Sequence, residues 1–79
     1  MKDFKVWVGR DEYLLFSVLS RMRREGIVWE SGDRIEEFDP PEGTRFLNVN
    51  RGRAQYGDSR KLFRQSNAGE VDARTYCRK

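Results

Sequence analysis

The sequence has no histidine, a single cysteine, two prolines and no apolar run longer than Leu14-Leu15-Phe16. Each scarcity closes a class of function. One cysteine, Cys77, cannot form an internal disulfide or a cysteine-based zinc site, and near the end of the sequence it reads as a free thiol with no redox role. Without histidine the usual general base near neutral pH is missing, and any metal would have to be held by carboxylates alone. The lack of a long apolar run excludes a transmembrane helix and a signal peptide, so a cytoplasmic protein that meets no membrane is expected. Glycine is sparse where nucleotide folds need it: Gly9-Arg10-Asp11 offers one where a dinucleotide-binding turn wants three.

What is present begins with a strand–helix–strand grammar over residues 4–33. Phe4, Val6 and Val8 alternate with Lys5 and Trp7, and Ile27-Val28-Trp29 is a second short β-branched and aromatic run. Between them Leu15, Val18, Leu19 and Met22 recur at i, i+3, i+4 and i+7, with Leu14 widening the stripe. The spacing predicts a helix over about 11–25. Asp11 is its N-cap, Asp11 and Glu12 meet the positive end of the helix dipole, and Arg21, Arg23 and Arg24 meet the negative end. Gly26 supplies a left-handed stop that folds Ile27 back onto Met22. A strand that returns through a helix into another strand makes the two strands run the same way, with a right-handed crossover.

Ser31-Gly32-Asp33 is a turn and Asp39-Pro40-Pro41-Glu42-Gly43 a rigid loop, with Arg34 to Phe38 an edge extension or loop between them. Arg45 to Asn50 reads as a third strand, with Leu47 and Val49 on one face and Phe46 on the other. A turn at Arg51-Gly52-Arg53 leads into Ala54-Gln55-Tyr56 as an antiparallel partner. Beyond Asp58, Ser59–Gln65 suits a short helix carrying Leu62 and Phe63, Asn67-Ala68-Gly69 a turn, and Val71–Cys77 a last strand or a frayed tail. The expectation is one α+β domain over 1–79: a single helix (about 11–25) on one face of a three- or four-stranded mixed, mainly antiparallel sheet in the order β-α-β-β-β, followed by a basic segment, 58–79, whose structure the sequence leaves undetermined. One helix covers one face only. Trp7, Phe46 and Trp29 on the other need the C-terminal residues Leu62, Phe63 and Tyr76, a second copy in a homodimer, or a target to cover them.

Charge divides unevenly. Residues 1–42 carry seven Lys/Arg against ten Asp/Glu, a net of −3, and residues 43–79 carry nine against three, a net of +6. Carboxylates gather at Glu30, Asp33, Glu36, Glu37, Asp39 and Glu42. The basic half yields a candidate nucleic-acid or anion site: Arg51, Arg53, Tyr56, Arg60, Lys61 and Arg64. Guanidinium groups grip phosphates in pairs and stack on bases, and tyrosine adds a platform. The same charges also serve as an ordinary solvated surface or satisfy each other within the fold. The acidic half, with aromatics, yields a candidate protein-partner set: Trp29, Glu36, Glu37, Phe38, Asp39 and Phe46.

Catalysis is not expected. Asp33, Glu36, Glu37 and Asp39 fail the calcium-loop spacing, and Ser17 and Ser20 sit on the helix without a partner base. No metal and no cofactor is implied.

The N-terminal strand, the helix ending Arg-Arg-Glu-Gly, the run Ile27-Val28-Trp29-Glu30-Ser31-Gly32-Asp33, and Phe46-Leu47-Asn48-Val49 leading by a hairpin to Tyr56-Gly57 are similar to small accessory proteins encoded by bacteriophages. The similarity spans about residues 4–57, with Ile27 and Val28 standing where an aromatic often follows the helix-ending glycine. The resemblance implies a protein that binds a host protein, nucleoprotein complex or defence component in the host cytoplasm, as anti-CRISPR inhibitors and sponges for cyclic-nucleotide signals do. Two further modes stay open: direct nucleic-acid binding, and capture of a cyclic nucleotide.

Overall fold

The computed structural model describes residues 2–78. Strand β1 (Phe4–Trp7) leads into helix α1 (Glu12–Arg24), followed by β2 (Val28–Trp29), a 3-10 turn (Ile35–Glu37), and the hairpin β3 (Phe46–Asn50) and β4 (Arg53–Gly57). Helix α2 (Arg60–Gln65), strand β5 (Gly69–Glu70) and helix α3 (Ala73–Arg78) complete the chain. The fold is α+β with a five-stranded mixed sheet in the order β2-β4-β3-β1-β5. No helix among the described residues is long and apolar enough to cross a membrane.

Both ends of α1 form as their residues dictate. The Asp11 carboxylate accepts the Leu14 N–H at 3.0 Å, and Gly26 takes φ +79°. Ile27 N–H then donates to Met22 O at 3.0 Å and Gly26 N–H to Arg23 O at 3.1 Å, the two bonds of a Schellman stop. Because β1 is antiparallel to β3, β3 antiparallel to β4, and β4 parallel to β2, β1 and β2 do run the same way. They are not neighbours: the hairpin is inserted between them. The two-residue strands β2 and β5 stand at the edges, and β3, covered on both faces, takes the centre. The hairpin closes through Arg51 (φ 54°) and Gly52 (φ 77°), consecutive positive φ angles as a type I′ turn requires. The Arg51 N–H is held by the Asp3 carboxylate at 3.0 Å.

On one face of the sheet Val6, Leu47, Val49, Ala54 and Trp29 form the main core with Val18, Leu19 and Met22 of α1. Helix α3 joins the same side through Ala73 and Tyr76, and the Tyr76 ring meets Phe4 at 5.1 Å. The opposite face is closed by α2, whose Phe63 is fully buried between Trp7 and Phe46, each 5.4 Å away between ring centroids. The chain thus covers its own second face at Trp7 and Phe46, through Phe63; Leu62 points to solvent. Lys5 is the buried tie beneath α2. Its ammonium donates to Phe63 O at 2.6 Å and Ser66 O at 3.0 Å, and lies 4.5 Å from the Phe63 ring centre.

Three features differ from the sequence expectation. The single packed helix and three or four strands of the expected layer become three helices and five strands: the short helix read at Ser59–Gln65 forms as α2, and β5 and α3 are added after it. Residues 73–77 are helical, not a strand or a tail. The Asp72 carboxylate accepts the Thr75 N–H and hydroxyl, each at 3.0 Å, and those bonds, the backbone one first, hold it below the usual carboxylate range. Trp29 pairs with Ala54 and so lies on the α1 side, not on the second face.

The Tyr76 hydroxyl donates to the Glu25 carboxylate at the end of α1. Burial, then that carboxylate, push its ionisation well above the ordinary value of 10.0. A group whose ionisation is raised by folding contributes stability that is whole below its unfolded value and lost as the pH climbs through the folded one. Tyr76→Phe is therefore expected to lower stability by about 1 kcal/mol at neutral pH. Above pH ~10 it should lose less than the parent, a comparison read from denaturant midpoints across pH 7–11.

Candidate functional site

The indole of Trp29 organises the residues that follow it. Its Nε1–H is shared between Ile35 O at 3.2 Å and Phe38 O at 3.1 Å, which wraps the 3-10 turn around the end of β2. The Glu37 carboxylate accepts the Arg34 N–H at 2.9 Å and fixes the turn from its other end. Phe38 is thereby delivered beside Tyr56 of β4. Their rings stack at 5.8 Å with an interplanar angle of 27°, and both stand edge-on to Trp29, at 5.6 and 6.0 Å. Trp29 is 3% exposed, Phe38 41% and Tyr56 43%. The three border a depression of about 570 Å³ shared with Glu30, Ser31, Asp33, Ala54 and Gln55.

Two carboxylates, Glu30 and Asp33, border this depression, and the rest of the acidic segment lies along 36–42. Of Glu30, Asp33, Glu36, Glu37, Asp39 and Glu42, only Glu36 forms an ion pair among the described residues, with Arg23 at 3.1 Å. Asp33 accepts the Ser31 hydroxyl at 3.1 Å. Arg53 reaches the Glu30 backbone carbonyl at 3.0 Å rather than its carboxylate. Half-exposed ring faces beside free carboxylates suit a cation: the rings attract it through their quadrupole and the carboxylates through Coulomb's law.

The sequence-derived basic set is not brought together. Tyr56 belongs to the aromatic group just described. Arg51 and Arg53 border a depression of about 530 Å³ that also holds Asp3 and Glu30, so an anion there would meet both signs of charge. Arg60 lies flat on aromatics, 4.5 Å from the Trp7 ring centre and 5.1 Å from that of Phe63. Lys61 and Arg64 stand exposed on α2 and, like Arg51, Arg53 and Arg60, have no ion-pair partner among the described residues.

In the partner-binding set, Phe46 is 6% exposed beneath α2 and Trp29 is buried, so Phe38 is its one accessible aromatic. Glu36 is tied to Arg23, Glu37 is half spent on its turn, and Asp39 is exposed. Sequence reasoning did not group Glu30 and Asp33 with the aromatics, and it grouped Tyr56 with the basic residues, whereas the fold sets Tyr56 beside Phe38 and Trp29. The alternation in β4 that puts Tyr56 on the Ala54 side was readable, but its meeting with Phe38 depends on the fold of 30–38. Also unforeseen are Tyr13 and Phe16, which stand exposed on α1. Phe16 borders a depression of about 660 Å³ beside Pro40 and Pro41, where Arg10, Glu12, Glu42 and Arg45 mix both signs.

Among the described residues no group of three or more carboxylate or thiol side chains is arranged to hold a metal ion. Burial pushes the Cys77 thiol up from its ordinary value, which disfavours a reactive thiolate. Comparison with models of known protein families, with curated proteins and with solved structures gave no match.

Proposed function

We propose that the chain is a non-enzymatic interaction protein that binds a basic surface of a host protein or nucleoprotein complex through the acidic and aromatic depression at Trp29, Phe38 and Tyr56. The observation that carries this reading is the half-exposed Phe38–Tyr56 stack beside Glu30 and Asp33, whose carboxylates have no ion-pair partner among the described residues. A compact domain offering both features competes with nucleic acid for a basic channel without performing chemistry, which fits the inhibitor role implied by the resemblance to phage accessory proteins. Charge complementarity of this kind steers encounter, while the aromatic contact slows release.

The test is capture of a nucleoprotein from host extract on the immobilised chain, followed by measurement of nucleic acid released from it. The double variant Phe38→Ala/Tyr56→Ala is expected to weaken capture at least tenfold, about 1.4 kcal/mol, and Glu30→Lys/Asp33→Lys to do the same. Unchanged capture by both variants would remove the depression from the function. A second reading, direct nucleic-acid binding, is favoured by the exposed and unpaired Lys61 and Arg64. It requires that the chain alone retain mixed-sequence DNA with an affinity falling steeply with salt, and that Lys61→Ala/Arg64→Ala flatten that dependence.

A further inference from the structure

Ala54, Gln55 and Tyr56 all border the aromatic depression. Consecutive residues of a strand point to opposite faces of its sheet, so Ala54 and Tyr56 share a face, Gln55 takes the other, and a hollow that borders all three reaches the strand's backbone. The backbone bonds identify at which edge. Val28 N–H donates to Gly52 O at 3.2 Å and Glu30 N–H to Ala54 O at 2.9 Å, so even-numbered residues of β4 turn their backbone groups toward β2. Gln55 faces the other way, opposite Asn48 of β3. Tyr56 is the next even position, and β2 has ended before reaching it. The chain turns away at Glu30 to Asp33, where Gly32 N–H donates to Trp29 O and Trp29 N–H to Asp33 O, both at 2.8 Å. The Tyr56 N–H and C=O therefore face outward with no strand of the described chain beside them.

We infer that this gap in the β2 position is a docking edge for an extended basic peptide segment of the partner. The segment continues β2 along β4, exchanges hydrogen bonds with the Tyr56 backbone, and lays a lysine or arginine over the Phe38–Tyr56 stack. The inference rests on the function proposed above and specifies how the partner is read. Main-chain pairing supplies affinity that is blind to sequence, and the alternate side chain supplies selection. The cation is chosen by charge: Glu30 and Asp33 border the same hollow with no ion-pair partner among the described residues, and Arg53, which donates to the Glu30 carbonyl and keeps its own charge, does not line it. An edge carrying aromatic side chains and an unpaired donor and acceptor would invite any passing strand; carboxylates beside it admit cationic segments and repel acidic ones.

The experiment uses the whole chain and a seven-residue peptide of alternating arginine and valine, with amide hydrogen exchange followed residue by residue in solution. In the free protein the Tyr56 amide is expected to exchange quickly and that of Leu47 slowly. On saturation with the peptide, Tyr56 should slow at least tenfold while Leu47 is unchanged. The same peptide N-methylated at its valines should bind at least tenfold more weakly, and its glutamate-valine counterpart should not bind. If the arginine peptide binds and Phe38→Ala weakens it, yet Tyr56 gains no protection and N-methylation has no effect, edge pairing is overturned while the acidic and aromatic surface stands. If the arginine peptide fails to bind the folded chain at millimolar concentration, the reading of the surface falls and edge pairing with it.

Discussion

Phe63→Ala is expected to cost about 3–5 kcal/mol, the range for truncating a fully buried phenylalanine. A chain of this length has a total stability of roughly 4–12 kcal/mol, so the variant stands at or near the threshold of folding. Phe63 is the fully buried centre of the second core. Its ring fills the space between Trp7 and Phe46, carries the Lys5 ammonium at 4.5 Å, and shares the Arg60 guanidinium with Trp7. Without it α2 has nothing to bury, since Leu62 already faces solvent. Six residues do not hold a helix in water by themselves. Thermal unfolding should show a midpoint lower by roughly 15–30 °C, with Trp7 fluorescence shifting to that of a solvated indole. Leu62→Ala, on the same helix, should change stability by no more than about 0.5 kcal/mol. A loss below about 1 kcal/mol for Phe63→Ala would mean that α2 is not a structural closure of the sheet.

Gly57→Ala is expected to be the next most damaging, at about 2–3 kcal/mol. Gly57 lies opposite Phe46 across the β3–β4 ladder, and the Phe46 ring folds over it. A methyl placed there would overlap the ring, falling 2.5 Å from Cε1. Trp7, stacked at 6.2 Å, and Phe63, at 5.4 Å, flank the ring and limit its retreat. The cost is steric rather than conformational, because Gly57 is not among the glycines with positive φ. The check is a double-mutant cycle with Phe46→Leu: the shorter side chain leaves room, so alanine at 57 should cost at least 1 kcal/mol less in that background. Equal costs in both backgrounds would show that the close approach of ring and backbone is not what selects glycine.

Much of the fold is legible because its signals are local. The Asp11 cap, the Leu15-Val18-Leu19-Met22 stripe and the Gly26 stop act within a few residues of each other, and α1 forms between them with the hydrogen bonds those residues call for. Ser59 likewise caps α2, accepting the Leu62 N–H at 3.3 Å. The facing of β3 follows from alternation alone, with Leu47 and Val49 on the α1 side and Phe46 on the other. Illegible were β5 and α3. Two residues of strand carry no period, and α3 owes its helix to Asp72 and to docking Ala73 and Tyr76 on α1, contacts between segments some fifty residues apart.

The candidate site lies further from the sequence than the fold does. Trp29, Phe38 and Tyr56 are separated by 9 and 18 residues, and nothing in their spacing announces that their rings meet. The amino-acid sequence by itself determined where α1 starts and stops, which side of β3 is buried, that the carboxylates cluster at 30–42, and that these 79 residues hold no histidine and no internal disulfide. The tertiary structure alone decided that the hairpin separates β1 from β2, that β2 ends two residues short of Tyr56, and that the Arg60 guanidinium lies on the Trp7 ring. Local hydrogen bonds and periodicity are encoded over three or four residues, whereas strand order, an open edge and the partner of a side chain are set by what packs where once the whole chain closes.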